Sequence, residues 1–549
     1  MAEINNFIKT IMQNDLDSGA VDHIETRFPP EPNAYLHIGH ARAIVTNFEL
    51  AKSFNGTTNL RFDDTNPAKE DKEFVEGIIE DLKWLGYTPN NVFYGSDYFE
   101  KTYEKAIMLI KKGLAYVDDL SQEEMSKYRG TLTEPGKNSP WRDRTIEENL
   151  KLFEEMRQGK YKDGEKTLRA KIDMASPNMN MRDPAMYRIL HINHHRQGNK
   201  WCIYPMYDFA HPLQDAFEGI THSLCSLEYV DHRPLYDWFV EKCEMDHVPH
   251  QYEFGRLNIA NTVLSKRYLR ALVDAGKVSG YDDPRMPTIC GLRRKGFTPD
   301  SIRNFVLSTG LSRVNSTVEF ELLDEELRQD LKLKALRPNA VINPVKVIID
   351  NYPIDKVEWF DAPNNTENPE LGTRKISFSR EVYIEREDFI EVKPNKNWKR
   401  LALDVEVRLM RAYFIKATSV EKDAEGNITC IHATYDPATH ASDFNERKPN
   451  GNIHYVDAKT AIPATFRLYD SLLLPETEEN KDLDFMERLN PESVKETEGF
   501  VESSLENTKP LDHYQFIRNG YYVTDKDSVN GHLVFNRTCG LKSSFVIQK

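Results

Sequence analysis

Two histidines at the start of a helix are the residues of this chain best suited to handle a phosphate group. His37 and His40 follow a proline-rich turn, with Gly39 between them. Prolines stop strand pairing because they lack a backbone donor. The first turn of a helix has unpaired N–H groups and a positive dipole, so it suits an anion. The pattern indicates a phosphate site with two imidazole donors, although a bare H-x-x-H is more often a pair of surface or capping histidines.

A second cationic group lies far downstream, in the stretch Val263-Leu264-Ser265-Lys266-Arg267. Phosphate chemistry needs a cation where charge develops on the leaving group, and a lysine on a flexible loop can supply one. Most lysines of this kind are solvated surface charges. The stretch therefore indicates phosphate chemistry only in combination with the two histidines.

Two further stretches offer groups for a small zwitterionic substrate. Asp63 follows an apolar strand-like run and is a good partner for an ammonium group, although an Asp-Asp-Thr-Asn-Pro sequence also caps helices. The aromatic run 204–211 has the composition of a buried strand. Within it, only Tyr207 and His211 are expected to line the mouth of a pocket.

The elements that position these residues alternate between strand and helix. Arg27 and Phe28 end a predicted strand, residues 41–52 form the next helix, and 58–62 form the next strand. A helix over 72–85 follows, then a strand over 92–94. Strand–helix–strand order at this spacing predicts a parallel sheet with right-handed crossovers, whose ligands bind beyond the carboxyl ends of the strands.

The whole chain is expected to be α/β, with a Rossmann-type catalytic domain that an α/β insertion interrupts. Beyond the helix-rich middle, alternating apolar runs separated by Gly, Pro and Asn predict two β-barrels. Within the barrels, the acidic stretch 480–508 is expected to be a surface excursion. The predicted boundaries are 1–100 and 206–260 for the catalytic domain, 101–205 for the insertion, 261–337 for a helical connector, and 338–549 for the two barrels.

The negative net charge argues against a protein that binds nucleic acid through its overall charge. The 72 basic and 87 acidic residues leave a net charge of −15, so a polyanion would need a local basic surface. Such a basic tract occurs in the barrel region, with aromatic residues interleaved. This combination of side chains suits the binding of unstacked RNA bases. Its members are Lys393, Lys396, Lys399, Arg400, Arg408, Arg411 and Lys416, with Trp398 and Tyr413 among them.

The cysteine content and the hydropathy pattern indicate the cellular compartment in which the protein is expected to work. The 6 cysteines contain no C-x-x-C pair, which argues against a zinc knuckle and is typical of a reducing cytosol. No apolar run approaches the ~18 residues that a membrane span needs. The amino-terminal segment, with Phe7, Ile8, Ile11 and Met12 on one face, predicts a short amphipathic helix rather than a signal peptide.

Together these motifs resemble the class I aminoacyl-tRNA synthetases, and within that class the glutamine branch. The resemblance covers essentially the whole chain. The lysine stretch departs from the general pattern by Leu264, which replaces a methionine of similar volume, while Val263 and Arg267 are common in this branch. The stretches that carry the resemblance are 26–40, 61–67, 130–144, 198–209, 219–227 and 283–294.

The resemblance implies a cytoplasmic, monomeric enzyme without a membrane association. It would activate L-glutamine with ATP, accompanied by Mg²⁺, and transfer the product to the 3′ end of tRNA(Gln). His37, His40 and Lys266 would be catalytic, and Arg256 with Leu257 would contact the adenine. The full implied ATP site is Glu31, Pro32, Asn33, His37, Ile38, Gly39, His40, Ala41, Arg42, Ala43, Ser226, Arg256, Leu257, Leu264, Ser265 and Lys266.

The resemblance also implies an amino-acid site and a tRNA-binding surface. Asp63 would hold the α-ammonium and Tyr207 the side-chain amide, with Gln251, Arg27, Cys225 and His211 nearby. Leu132 would act as a wedge at the first base pair, and Asp231 would read a base edge there, although a loop leucine and a capping aspartate explain both equally simply. The implied anticodon contacts are Arg337, Lys399, Arg400, Arg408, Gln515 and Arg518, while Met410 stands where relatives carry another arginine.

The choice between glutamine and glutamate depends on charge, because the two amino acids have nearly the same volume. Cys225 is neutral where glutamyl relatives typically carry arginine. A buried carboxylate without its cation loses several kcal/mol, so the sequence favours glutamine. The alternatives are a glutamyl-tRNA synthetase, a non-catalytic tRNA-binding paralogue, and a small-molecule nucleotidyltransferase, which would not need the basic barrel region.

Overall fold

The computed structural model describes residues 5–67, 72–440, 444, 446–475, 477, 480 and 482–542. The chain forms two compact units, one of residues 1–259 and 303–318 and the other of 260–302 and 319–549. The helices, in chain order, are α1 (Phe7–Asp17), α2 (Ile38–Ser53), α3 (Lys72–Trp84), α4 (Phe99–Lys111), α5 (Gln122–Arg129), α6 (Ile146–Arg157), α7 (Tyr207–Phe217), α8 (Arg233–Lys242), α9 (Lys266–Asp274), α10 (Ile289–Lys295), α11 (Pro299–Ser308) and α12 (Phe320–Leu331).

In the first half of the chain the strands form parallel pairs and one four-stranded antiparallel sheet, and in the second half they form two large sheets and two two-stranded sheets. In chain order they are β1 (Glu25–Phe28), β2 (Thr57–Phe62), β3 (Val92–Tyr94), β4 (Ala115–Asp118), β5 (Thr167–Ala170), β6 (Ala185–Ile189), β7 (Ile203–Pro205), β8 (His222–Ser226), β9 (His250–Phe254), β10 (Leu257–Ile259), β11 (Ser316–Val318), β12 (Ala340–Ile342), β13 (Pro344–Ile349), β14 (Glu358–Pro363), β15 (Thr373–Phe378), β16 (Glu381–Glu385), β17 (Phe389–Ile390), β18 (Leu401–Ala402), β19 (Glu406–Leu409), β20 (Phe414–Lys422), β21 (Ile428–Asp436), β22 (Asn452–Ile453), β23 (Val456–Asp457), β24 (Ile462–Tyr469), β25 (Val494–Val501), β26 (His513–Phe516), β27 (Gly520–Thr524) and β28 (Leu533–Cys539).

The parallel strands of the first unit are arranged in a doubly wound order. β1, β2 and β3 pair in parallel, as do β8 and β9. β8 lies beside β1, where the amide of Thr221 donates to the carbonyl of Glu25 at 3.0 Å. The carboxyl ends of β1, β2, β8 and β9 therefore meet at one edge, which is where such sheets bind ligands.

Between β3 and β8 the chain builds a separate layer. β4, β5, β6 and β7 form an antiparallel sheet, and α4 and α6 pack on it through a core that includes Phe153 and Tyr187, both almost fully buried. The same core includes Phe209 of α7 and Phe239 of α8. The inserted layer thus shares one hydrophobic core with α7 and α8, the helices that precede and follow β8.

The second unit contains two large curled β-sheets, each a half-barrel with its own core. One sheet has the strand order β22-β19-β20-β21-β13-β16-β23, and the other β12-β25-β24-β28-β27-β26. The α/β class predicted from the sequence is confirmed. Arg518 joins the two sheets through an ion pair with Asp388 at 2.7 Å.

Several sequence predictions about elements need correction. The stretch 480–508 is not wholly a surface excursion, because β25 lies between β12 and β24 and buries Val501. The alternation over 405–416 is a hairpin of β19 and β20, turned at Arg411 with a φ of 68°. In the run 201–207, only Ile203–Pro205 is a strand, and Tyr207 begins a helix.

The amino-terminal helix is confirmed as α1, which buries Ile8 and Met12 against β8 and β9. Among the helices of the described residues, none combines the length and the apolar character that crossing a membrane requires.

The close packing of β25 provides a test of this strand assignment. A Cβ added at Gly499 would lie 2.2 Å from the carbonyl oxygen of Val341, so Gly499→Ala must push β12 and β25 apart. Overpacking of this kind costs about 1–3 kcal/mol, and we expect the variant to lower the denaturation midpoint of the second unit. Lys495→Ala, at an exposed position on the same strand, is the control. Equal stability of both variants would contradict the assignment.

Candidate active site and tRNA interface

His37 and His40 lie at the amino end of α2, which begins at Ile38, three residues earlier than predicted. His37 is the N-cap, and its Nδ1 accepts from the amide of Gly39 at 3.1 Å. The Nδ1 of His40 accepts from the amide of His37, also at 3.1 Å. A backbone amide can only donate, so both rings must carry their proton on Nε2. Each imidazole is thus oriented as an Nε2–H donor.

The other residues of the implied ATP site lie in and around α2 and at the start of β10. Ile38, Ala41 and Arg42 are buried, and the Arg42 guanidinium bonds to Thr309 and to the carbonyl of Gly310 at 3.0 Å. Arg42 therefore anchors a neighbouring segment instead of facing a ligand, which corrects the expectation for its side chain. Glu31, Pro32 and Asn33 form the turn before α2, Ala43 lies in α2, and Leu257 is buried in β10.

Ser226 and Arg256 share one acidic partner. The Ser226 hydroxyl donates to Glu228 at 2.8 Å, and Arg256 forms an ion pair with the same carboxylate. Ser226 is the last residue of β8 and Arg256 follows β9, both at the carboxyl edge of the parallel strands. The structure thus brings these two residues of the implied ATP site together.

The lysine stretch belongs to the second unit. Ser265 is the N-cap of α9, and Lys266 is the first residue of that helix. Leu264 lies one residue further upstream and is half-buried. Lys266 thus stands on the first turn of a helix rather than in the middle of a loop.

A polar cavity of about 550 Å³ opens at the carboxyl edge of the parallel sheet. Asp63 and Tyr207, the two residues expected to hold an amino acid, both line it. The remaining lining comes from the segments after β1, β2 and β8, from β6 and β7, and from the start of α7. It consists of Glu31, Thr65, Asn66, Arg188, Pro205, Met206, Asp208, Glu228, Tyr229 and His232.

Beneath this cavity lies a buried network of charges. The Nε of Arg27 donates to Asp215 at 2.9 Å, and a guanidinium nitrogen of Arg61 reaches the same oxygen at 2.7 Å. Arg61 also pairs with Glu218 at 3.0 Å. Burial by itself would raise the pKa of Asp215, but the two arginines outweigh it and hold the pKa below its ordinary value. Burial raises the pKa of Glu218 to about 7.

His211 and Cys225 belong to this network rather than to the wall of the cavity. His211 is 4% exposed, and its ring stacks beneath Tyr207 with centroids 4.9 Å apart. This corrects its expected place at the pocket mouth. Burial lowers the pKa of His211 to about 3, so the ring is neutral. Cys225 lies 3.5 Å from the Arg27 guanidinium.

Asp63 and Gln251 are held by short-range contacts. The hydroxyl of Thr65 donates to the Asp63 carboxylate at 2.8 Å, while burial raises the pKa of Asp63. The side-chain amide of Gln251 donates to the carbonyl of Tyr229 at 3.1 Å and to Glu253 at 2.9 Å. Gln251 therefore positions Tyr229, which lines the cavity, and does not line it itself.

Sequence reasoning missed a titratable pair in the cavity. The Nδ1 of His232 lies 2.6 Å from Asp208, and this hydrogen bond raises the pKa of His232. It also missed Arg188 of β6. Nothing in the sequence marks Arg188, because a strand arginine at an alternating position usually faces solvent. The proximity of Asp208 to the Tyr207 motif was the only signal for the pair.

The loop that carries Leu132 is rigidly braced. Leu132 is 81% exposed, whereas Arg182 is buried and donates to the carbonyls of Arg129, Thr131 and Glu134 at 2.8, 2.8 and 3.0 Å. From the same segment as Arg182, Asn178 donates to the carbonyl of Asp231 at 2.7 Å. One short segment thus supports both residues expected to meet an acceptor stem.

The implied anticodon contacts form two groups in the second unit. Arg337 and Gln515 line a shared cavity of about 280 Å³. Arg400 and Arg518 share Asp388, at 3.4 and 2.7 Å. Lys399 is exposed.

Two members of the basic tract are more enclosed than expected. The Arg408 guanidinium stacks over Phe414 at 4.3 Å and bonds weakly to the carbonyl of Thr439 at 3.3 Å. Tyr413 is buried in the core and bonds to Glu358, so it offers no stacking surface for a base. Met410 is half-buried beside them.

Comparison with known families agrees with this arrangement. The family described as tRNA synthetases class I (E and Q), catalytic domain, matches residues 23–333. Its anti-codon binding domains match 335–436 and 452–525. The chain therefore belongs to the class I tRNA synthetases of the E and Q group.

Within that family, the similar relatives carry one name. Glutamine–tRNA ligase of Clostridium perfringens is 57% identical over 546 residues, which cover 99% of each chain. The glutamine–tRNA ligase of Clostridioides difficile is 57% identical over 98% of each chain. That of Pectobacterium atrosepticum is 53% identical over 99% of each chain. A solved glutamate-tRNA synthetase from Elizabethkingia anophelis is 19% identical, with a TM-score of 0.42 over 57% of this chain and 71% of its own.

The buried network predicts a large loss of stability when its acid is removed. Asp215→Asn leaves two buried guanidinium groups around a neutral amide, which costs about 3–5 kcal/mol. Native-state hydrogen exchange of the β1 and β2 amides measures this loss locally. Asp97→Asn, which breaks the exposed pair with Arg196, is the control and should cost about 0–1 kcal/mol. A similar small loss in Asp215→Asn would refute the central role of the network.

Proposed function

We propose that this chain is a glutamine–tRNA ligase. It activates L-glutamine with ATP to glutaminyl-adenylate and pyrophosphate, then transfers the glutaminyl group to the 3′ end of tRNA(Gln). The observation that carries the proposal is the cavity in which Asp63 and Tyr207 lie together, above a buried arginine whose charge is already matched by Asp215. The naming of full-length relatives supports it.

In the first step, the glutamine carboxylate attacks the α-phosphorus of ATP in line and pyrophosphate leaves. No protein nucleophile is needed, so catalysis rests on positioning and on stabilisation of developing charge. His37 and His40, each with its proton on Nε2, would donate to the phosphates, and Lys266 would act on the leaving group. Mg²⁺ would enter with the phosphates of ATP. Loss of one such donor costs about 10²–10³ in rate.

Selection of glutamine follows from how the charges near Tyr207 are balanced. A carboxylate ligand needs an unmatched cation, whereas the charges of Arg27 and Arg61 are offset by Asp215 and Glu218. Cys225 adds no charge beside Arg27. A glutamate carboxylate that reached Tyr207 and Cys225 would meet no unmatched cation there, at the cost of an unpaired buried charge. An amide needs only hydrogen bonds, for which the Tyr207 hydroxyl is suited.

The remaining regions would hold the tRNA. We propose that the inserted layer grips the acceptor end, with Leu132 as a wedge and Asp231 reading a base edge, and that the two β-domains bind the anticodon through the arginines described above. We further propose that the protein works as a monomer in the cytosol, where its six free cysteines stay reduced. A glutamyl-tRNA synthetase is the alternative.

Aminoacylation of purified tRNA with glutamine or glutamate tests the proposal. The unmodified enzyme should charge glutamine, and Cys225→Arg should lower the ratio of kcat/KM for glutamine over glutamate by at least about 10-fold, because one unmatched guanidinium is worth more than ~1.4 kcal/mol. Cys225→Ser keeps the site neutral and should preserve the ratio. Robust glutamate charging by the unmodified enzyme would overturn the assignment.

A second prediction concerns the ammonium group of the substrate. Asp63 must be ionised to bind it, and burial raises the pKa of Asp63, so KM for glutamine should rise as the pH falls through that raised pKa. At pH values above that pKa, Asp63→Asn should raise KM by about 10–100-fold, the value of one charge-assisted hydrogen bond, and it should remove this pH dependence. KM for ATP should stay constant. Pyrophosphate exchange with tRNA present measures both, and an unchanged glutamine KM in Asp63→Asn would contradict the role.

A further inference from the structure

A cluster of metal-ligand types lies on the outer face of the first C-terminal sheet, in the β20–β21 hairpin. Glu421 and Cys430 are cross-strand partners, and His432 lies two residues further along β21. Side chains two residues apart on a strand share a face. Ile431 and Ala433, on the opposite face, belong to the hydrophobic core. Register alone therefore places the carboxylate, the thiol and the imidazole together outside the core.

The potential ligand atoms are close enough to share one ion. One atom from each of Glu421, Cys430 and His432 lies within 4.8 Å of the other two, and the Nε2 of His432 is 3.0 Å from Glu421. Cys430 is 5% exposed, so its sulfur is shielded from solvent oxidants. Lys346, the partner of Cys430 on β13, is paired with Glu381 at 3.0 Å, which offsets its charge.

The contact that Nδ1 of His432 makes favours the use of the other ring nitrogen, Nε2, as a metal ligand. Its Nδ1 lies 3.0 and 3.2 Å from the two oxygens of Asp350, so Nδ1 carries the proton and donates it. Its Nε2 faces the Glu421 carboxylate, which can only accept, so Nε2 also donates here; a cation would replace that Nε2 proton, while Nδ1 keeps its own proton on Asp350. A carboxylate behind a histidine is the usual outer support of a protein zinc ligand, because it fixes the tautomer and the orientation of the ring.

The same test rejects the other cluster of this kind among the described residues, which is Asp64, His194 and His195. The Nδ1 of His194 accepts from the amides of Arg196 and Gln197 at 3.1 and 3.2 Å. Its proton must therefore lie on Nε2, which donates to the carbonyl of Asp64 at 2.8 Å. His194 cannot release that proton without losing its only N–H, because its Nδ1 already accepts, whereas His432 keeps a proton on Nδ1 when a cation replaces the one on Nε2.

We propose that Glu421, Cys430 and His432 bind one Zn²⁺ ion at the base of the β20–β21 hairpin, with Asp350 orienting His432. A thiolate, an imidazole and a carboxylate form a donor set that Zn²⁺ prefers, and water can complete the tetrahedron. Binding replaces the proton of the Cys430 thiol and the Nε2 proton of His432, and both protons pass to solvent. The ion would hold the two strands together at a point remote in sequence from the catalytic residues.

Titration of the full-length apoprotein with Co²⁺ tests the site, because tetrahedral Co²⁺ reports its ligands optically. We expect one ion per chain, visible d–d bands of a tetrahedral site, and a near-ultraviolet thiolate-to-cobalt band, all abolished by Zn²⁺. Cys430→Ser should remove the thiolate band, and Asp350→Asn should weaken binding by about 10–100-fold.

The matched control is Cys202→Ser, which changes another free, less buried cysteine and should keep every band. Asp350→Asn alters an exposed side chain and does not threaten the fold, so its lower affinity separates metal binding from a general loss of structure. Absence of the thiolate band in the unmodified protein, or its persistence in Cys430→Ser, would overturn the proposal. Glutamine charging does not enter this test.

Discussion

The pairing of Arg27 and Arg61 with one carboxylate, Asp215, is the interaction on which the catalytic unit depends. It joins the two central strands β1 and β2 to α7, and Ser223 of β8 adds a hydroxyl to Asp215 at 2.6 Å. A buried ion is costly to leave unpaired, so these four elements can pack only in the register that brings the charges together. The carboxyl edge of the sheet is thereby fixed before any ligand arrives.

The same network determines the charge beneath the cavity that Asp63 and Tyr207 line. Tyr207 rests on the neutral ring of His211, which in turn lies between the two arginines at 3.1 and 3.2 Å. Because guanidinium groups only donate hydrogen bonds, a protonated imidazole between them would be repelled on both sides. The tyrosine therefore stands on an uncharged support, although strong charges lie directly below it. A site that reads an amide rather than a carboxylate needs such a balance.

How far the sequence predicts this site depends on the range of the interactions involved. The helix start at His37 follows from local rules of proline turns and caps, and the position of Asp63 follows from strand order. Arg42 could not be predicted, because its partners in 309–310 lie far away in the chain. The strand 494–501 could not be recognised from its acidic composition. Only its pairing with β12 on one side and β24 on the other shows that this outwardly polar strand lies inside the sheet.

The histidines show that composition alone does not define a site, because the group that holds one ring nitrogen decides what the other can do. Backbone amides against Nδ1 leave His37 and His40 as donors, suited to phosphate. The same contact commits His194 to a structural hydrogen bond. At His432 a carboxylate faces each nitrogen, so Nδ1 keeps its proton on Asp350 while a cation can replace the Nε2 proton that faces Glu421. The groups that contact these four histidines thus give them three different chemical roles. The spacing of histidines in the sequence does not predict which role each one has.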